Sequence, residues 1–139
     1  MAYIDELSND DLEDIVSVMD PISVMAIRSE QMTKKLQIAV TIVDDLIEAA
    51  PPLKTPVNIY KSFGGVESEV LRGGGDLQDP GFLFGSTSRQ GPLESLTLRI
   101  IIPAGTKAID INGTYLLARN TRLVLNPAKT GVVPAKVVQ

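Results

Sequence analysis

Five places in this sequence hold side chains that could do chemistry. Ser86-Thr87-Ser88 follows an aromatic residue, Phe84, within residues 79–88, a stretch that opens on the turn-forming Asp79-Pro80-Gly81. Glu67 and Glu69 are two carboxylates separated by one serine, and Asp110 stands between two isoleucines. Lys61 ends a short apolar run, and Arg72-Gly73-Gly74-Gly75-Asp76 has the look of a phosphate-cradling loop. There is no His and no Cys. That removes a Ser-His-Asp triad, a cysteine nucleophile, His or Cys metal ligation and any disulfide. Carboxylates alone could still hold Ca²⁺ or Mg²⁺, but no EF-hand pattern is present and no metal is expected. The glycine run lacks a Gly-Lys-Ser/Thr ending and no strand feeds it, so it reads as a connector. Glu67 and Glu69 read as the exposed face of a short helix within residues 63–71. Asp110, alternating with Ile109 and Ile111, reads as an exposed acid on a sheet face.

The elements that must position these groups change period half-way along the chain. Ser8 followed by Asn9-Asp10-Asp11 is a helix start, with acids in the first turn. Leu12, Ile15, Val16 and Met19 recur at helical spacing until Asp20-Pro21 breaks the helix. A second, longer helix is expected from Ser23 or Ser29 to Ala50, ended by Pro51-Pro52. Its buried stripe would run through Met25, Met32, Leu36, Ala39, Val43, Leu46 and Ile47. From residue 57 the pattern is of strands: 57–60, 82–87, 96–102, 107–111, 114–117 and 122–125. Asn112-Gly113 between alternating residues is a two-residue hairpin. Helices first and strands second predict an α+β fold, with N-terminal helices packed on a mostly antiparallel sheet and Ser86 on a central strand. Residues 1–125 read as one domain. Residues 126–139, with two prolines and four valines, read as an extended C-terminal arm.

The chain of 139 residues is large enough for one core, and 44% apolar with 22% charged residues is ordinary for a globular protein. A net charge of −4 argues against nucleic acid as a partner. No apolar run is long enough to cross a membrane, so no membrane partner is expected. The acidic N-terminal segment is the opposite of a secretory signal, which leaves a virion or a host cytoplasm as plausible settings.

The order of the second-half motifs resembles the Arg-Ser-Glu class of ADP-ribosyltransferases, the bacterial exoenzyme family. In that family F-x-S-T-S is followed by a strand ending P-x-G-T, then a loop carrying E-x-E, then a strand close to V-L-L-P-R-G-T. Here Phe84-Gly85-Ser86-Thr87-Ser88 is followed by Pro103-Ala104-Gly105-Thr106 and then by Tyr115-Leu116-Leu117-Ala118-Arg119-Asn120-Thr121. Upstream, Ala50-Pro51-Pro52-Leu53 and the strand ending in Lys61 resemble the family's A-P-P-L and V-x-Y-R-G. Gly75-Asp76 with Asp79-Pro80-Gly81 resembles its G-D-x-F-x-D-P-G. The likeness covers residues 44–125.

The resemblance implies an ADP-ribosyltransferase-like sheet and chemistry on NAD, in which the nicotinamide–ribose bond breaks through an oxocarbenium-like transition state. It places Lys61 where the family has the Arg that grips the NAD diphosphate, with Ser62 where the family has Gly. Ser86, with Thr87 and Ser88, falls on the S-T-S that positions the nicotinamide ribose. Thr114 falls on the catalytic Glu and Asn112 on the first acid of E-x-E. Neither can carry a negative charge, and the loop that bears them is cut to Asn112-Gly113. The expectation is therefore a degenerate transferase: no catalytic residues, Lys61, Ser86, Thr87 and Ser88 as a vestigial NAD site, and NAD possible but no cofactor needed. Its role would be a binding or structural module in an oligomeric assembly joined through the C-terminal arm, plausibly in a bacteriophage virion. The alternative is an active mono-ADP-ribosyltransferase or NAD glycohydrolase using Lys61, Ser86 and a non-standard acid, Asp110 or Glu69.

Overall fold

The structure, a computed structural model, describes residues 2–63, 71–88, 96–129 and 131–138. After a 3₁₀ turn, Tyr3–Glu6, helix α1 (Asn9–Met19) starts where Ser8 accepts the Asp11 amide at 3.1 Å. Pro21 does not end helical structure but begins α2 (Pro21–Arg28). Asp20 caps that helix by accepting the Ile22 amide at 3.1 Å, and proline takes a position where no N–H is needed. Begun at Ser23, the long helix expected up to Ala50 is two helices; the start at Ser29 falls in the turn between them. Glu30 turns the chain with a left-handed φ of 58°, and Thr33 caps α3 (Lys34–Ala49) through the Leu36 amide at 3.2 Å. Periodicity misses this break because no Pro or Gly marks it. Met25, placed in the buried stripe by that reading, is 71% exposed.

Eight strands follow: β1 (Val57–Phe63), β2 (Gly75–Gln78), β3 (Phe82–Ser86), β4 (Leu96–Ile102), β5 (Ala108–Ile111), β6 (Thr114–Arg119), β7 (Arg122–Leu125) and β8 (Val133–Val138). Their order is β2-β7-β8-β4-β1-β3-β6-β5, antiparallel except for β4 with β8. The fold is α+β, as its sequence pattern predicts. The sheet bends sharply at one place: β1 and β3 share only the pair Tyr60↔Ser86. The halves on either side of that joint pack face to face. Ile59, Leu98, Ile100, Leu123, Val133, Ala135 and Val137 from the five-stranded half meet Leu83, Ala108 and Leu117 from the three-stranded half. On its other face the three-stranded half presents Phe82, Ile109 and Leu116 to Ile15, Val18, Ile27, Val43 and Ile47 of the helices. Arg119 on β6 ties the layers together with a bidentate ion pair to Asp44 of α3, its Nε 3.0 Å from Oδ1.

Two expectations change here. Residues 126–139 do not form an arm. β8 lies inside the sheet, parallel to β4 and antiparallel to β7, and Val133 and Val137 are buried in the chain's own core. Pro134 is tolerated because it stands beside Asn126, one residue past the end of β7. Its carbonyl accepts the Asn126 amide at 2.9 Å, so the only bond forfeited belongs to the last rung. The connector 72–76 also ends early, since Gly75 and Asp76 pair with Leu125 and Val124 as the start of β2. The helix expected within residues 63–71, with Glu67 and Glu69, falls mostly on 64–70, outside the described residues.

Candidate functional site

The joint between β1 and β3 gathers the chemistry-bearing residues on three adjacent strands. Phe82, Phe84 and Ser86 alternate on one face of β3, the face turned to the helices. Thr114 opens β6 directly beside Ser86, and Tyr60 pairs with Ser86 from the other side. Lys61, next along β1, lays its ammonium 4.1 Å from the centre of the Phe84 ring and donates to the Phe84 carbonyl at 3.3 Å. The Lys61 pKa is lowered to about 8, chiefly by burial and also by the nearby Arg28 guanidinium, with Asp79 partly offsetting both.

Arg28 has no counterpart among the residues singled out from sequence. It ends α2 and reaches the turn before β3, where its Nε and guanidinium nitrogen donate to Asp79 at 3.0 and 2.6 Å. Asp79 also accepts the Gly81 amide at 2.8 Å, so one carboxylate shapes the turn and anchors the helix end. One signal was present: Arg28 is the single cationic side chain among residues 1–33.

The hydroxyl groups are engaged locally. Ser86 Oγ accepts the Ser88 amide at 3.1 Å, and the Thr87 amide donates to the Gly113 carbonyl at 2.9 Å, which ties the end of β3 to the β5–β6 hairpin. That hairpin is the two-residue turn its sequence demands, with Asn112 at φ 52° and Gly113 at φ 97°. Asp110 caps it by accepting the Gly113 amide at 2.9 Å. Asp110 pairs with Tyr115 and shares a face with Ala108 and Leu117, the face opposite Ser86 and Thr114. Burial raises the Tyr115 phenol pKa, and the Asp110 charge and hydrogen bond raise it further. Asp110 is thus a turn cap on the wrong side of the strand to serve as the acid of this cleft. Beside Thr114 the cleft is lined by Ile15, Val16, Met19, Ile111 and Asp20, and the Asp20 carboxylate is taken up in capping α2. Among the described residues no cluster of three acids could hold a metal ion.

Lys61 gives a pH test. Below about pH 8 the lysine is protonated folded and unfolded, and the full cost of burying the charge is felt. From there to its ordinary 10.5 the folded state has released the proton while the unfolded state keeps it, so stability should rise with pH. A Lys61→Met variant is expected to lose that rise. Urea melts of both proteins across this range measure it, and parallel pH profiles would contradict the assignment.

Solved structures of bacterial ADP-ribosyltransferases share this fold over nearly the whole chain. Plx2a, an ADP-ribosyltransferase toxin from Paenibacillus larvae, matches with a TM-score of 0.74 at 18% identity, covering 99% of this chain and 90% of that one. An ADP-ribosyltransferase from Clostridium botulinum matches with a TM-score of 0.77 at 12% identity, covering 96% and 88%. The chain has an ADP-ribosyltransferase fold. The C3 exoenzyme of Clostridium limosum agrees equally well, with a TM-score of 0.77 at 12% identity over 96% of this chain and 87% of that one. The likeness is one of shape: no protein-family model and no curated protein matches the chain by sequence. On this fold Lys61, Ser86 and Thr114 lie on the neighbouring strands β1, β3 and β6, with Asn112 at the tip of the β5–β6 hairpin.

Proposed function

We propose that the chain is a catalytically silent protein of ADP-ribosyltransferase fold that works as a binding or structural module. One observation carries the reading: the position that the resemblance assigns to the catalytic Glu is Thr114, which follows directly on a closed two-residue turn. A hydroxyl cannot hold the negative charge that an oxocarbenium-like transition state calls for. Loss of a preorganised group of that kind costs roughly 3–4 kcal/mol, or about 10²–10³ in rate. The first acid is replaced by Asn112, whose backbone is committed to the turn. The clamp is weaker as well, since Lys61 offers a point charge where a guanidinium offers a planar fork for the diphosphate. The residues of the cleft therefore suit an NAD-like ligand in charge and hydroxyl content but not in the means to cleave it. The active alternative loses Asp110, which lies across the strand from the cleft. A bacteriophage particle remains the setting proposed for such a module by analogy. The arm that was to join it to neighbours is a core strand, so the module reading rests on the cleft alone.

Incubation of the purified protein with NAD should release no nicotinamide above the buffer rate, and Ser86→Ala should leave that baseline unchanged. Release that falls on introducing Ser86→Ala would overturn the reading and restore an enzyme.

A further inference from the structure

The charge of this chain is divided between two opposite faces. Residues 1–30 hold eight of the 17 acidic residues and one of the 13 basic ones, a local charge of −7, so the remainder carries +3. The acidic segment forms the 3₁₀ turn, α1 and α2, the outermost layer on one side. The far side of the molecule is the outer face of the five-stranded half, where among the described residues no element covers Arg122, Val124, Lys136 and Val138. Among the described residues Arg99, Arg122 and Lys136 stand there against one acid, Asp76, which lies 3.8 Å from Arg122.

Both faces also expose apolar side chains. On the helices Val16, Ile22 and Met25 are 68%, 79% and 71% exposed. Between α1, α2 and the start of α3 runs an open groove of about 420 Å³, in which Ile22, Ala26 and Leu36 lie between Asp14 and Lys35. Asp10, one turn before Asp14 on α1, is exposed on the same side. On the sheet, Ile101, Val124 and Val138 surround Lys136, and Pro103, Val124 and Val138 line a shallow depression with it. Each face thus pairs an apolar patch with charges in which one sign predominates, acidic on the helices and basic on the sheet.

We propose that copies of this chain associate head to tail, the acidic helical face of one copy seating on the basic sheet face of the next. A two-fold dimer through either face would set like charges against each other, whereas the head-to-tail contact matches opposite potentials. Because the two faces lie on opposite sides of the molecule, such a contact does not close on itself and builds an open row of copies. The proposal rests on surface charge and is independent of what the cleft does.

Sedimentation velocity over a concentration series tests it. At ~20 mM salt the mean mass should climb continuously with concentration, and at ~500 mM salt the association constant should fall by at least about tenfold as screening shortens the reach of the charges. Two double variants separate the faces: exposed Asp10→Lys with half-buried Asp14→Lys on the helices, and exposed Arg122→Glu with Lys136→Glu on the sheet. Circular dichroism confirms that each is folded. Each alone should associate at least about tenfold more weakly than the wild type at low salt, and mixing the two should restore association, because the unaltered sheet face of the first variant then meets the unaltered helical face of the second. A wild type that stays monomeric at low salt, a variant that associates as the wild type does, or a mixture that fails to associate would each overturn the proposal.

Discussion

Removing residues 132–139 is expected to leave a chain that does not fold. β8 is an interior strand, so its loss opens the sheet between β4 and β7 and cuts β7 and β2 away from the rest. Val133, Ala135 and Val137 are buried at 0%, 2% and 3% exposure, facing Leu83 and Leu117 across the core. Burial of two valines and an alanine is worth about 4–6 kcal/mol. Two ladders of main-chain hydrogen bonds go with them, and Leu98, Ile100, Leu123 and Leu125 are left facing water. A domain of this size holds roughly 5–15 kcal/mol in total, so the deletion consumes most or all of it. The truncated protein should show no cooperative thermal transition and no near-ultraviolet circular dichroism. A truncated chain that melts cooperatively within about 5 °C of the full one, less than a loss of ~2 kcal/mol would produce, would mean that β8 is an accessory after all.

What could be read in the sequence was what local chemistry decides. Asn112-Gly113 can scarcely do anything but turn a hairpin, and Ser8 with Asp10 and Asp11 can scarcely do anything but start a helix; both do. The ordered motifs around Ser86 placed its strand in the middle of the sheet. Legibility ended where a residue's role is set by a distant partner. Pro134 argued against an interior strand, and only the position of Asn126, where β7 has already ended, makes the proline harmless. Nothing in the residues next to Lys61 says that the side chain is covered. It is half-buried because Phe84, on a strand reached only after 20 further residues, lies beneath it. Arg28 gains its role from Asp79, 51 residues away. No Pro or Gly marks the break at Glu30, where the chain turns with a left-handed φ. The cleft was legible as a set of positions, and its electrostatics were not.

Gly85→Ala is expected to be the most damaging single methyl that can be added at the joint. Gly85 lies between Phe84 and Ser86, where β3 meets β1 in their one registered pair. A Cβ built there would stand 2.7 Å from the Tyr60 carbonyl oxygen and 3.1 Å from Ile59 Cδ1. The first of these is backbone, which cannot swing aside as a side chain can, so relief requires β1 and β3 to move apart. That motion breaks the continuity between the halves of the sheet and loosens the core under Ile59. Overpacking of a close-packed site costs typically ~1–3 kcal/mol, and a clash on main chain belongs at the upper end or beyond it. At about 3 kcal/mol the melting temperature should fall by roughly 10–15 °C for a domain of this size. Gly105→Ala supplies the contrast. Nothing lies within 4 Å of its Cβ, and its only penalty is the left-handed φ of 91°, worth roughly 1–2 kcal/mol. The two variants separate crowding from backbone conformation, and thermal melts should rank Gly85→Ala well below Gly105→Ala. Because Phe84 and Ser86 flank the substitution, the same variant should also disturb the seat of Lys61. Any fraction that remains folded is expected to lose the lowered lysine pKa, which NMR titration of the lysine side chain would detect. Equal melting temperatures for the two variants would show that β1 and β3 can separate freely, and that the single pair Tyr60↔Ser86 is no joint.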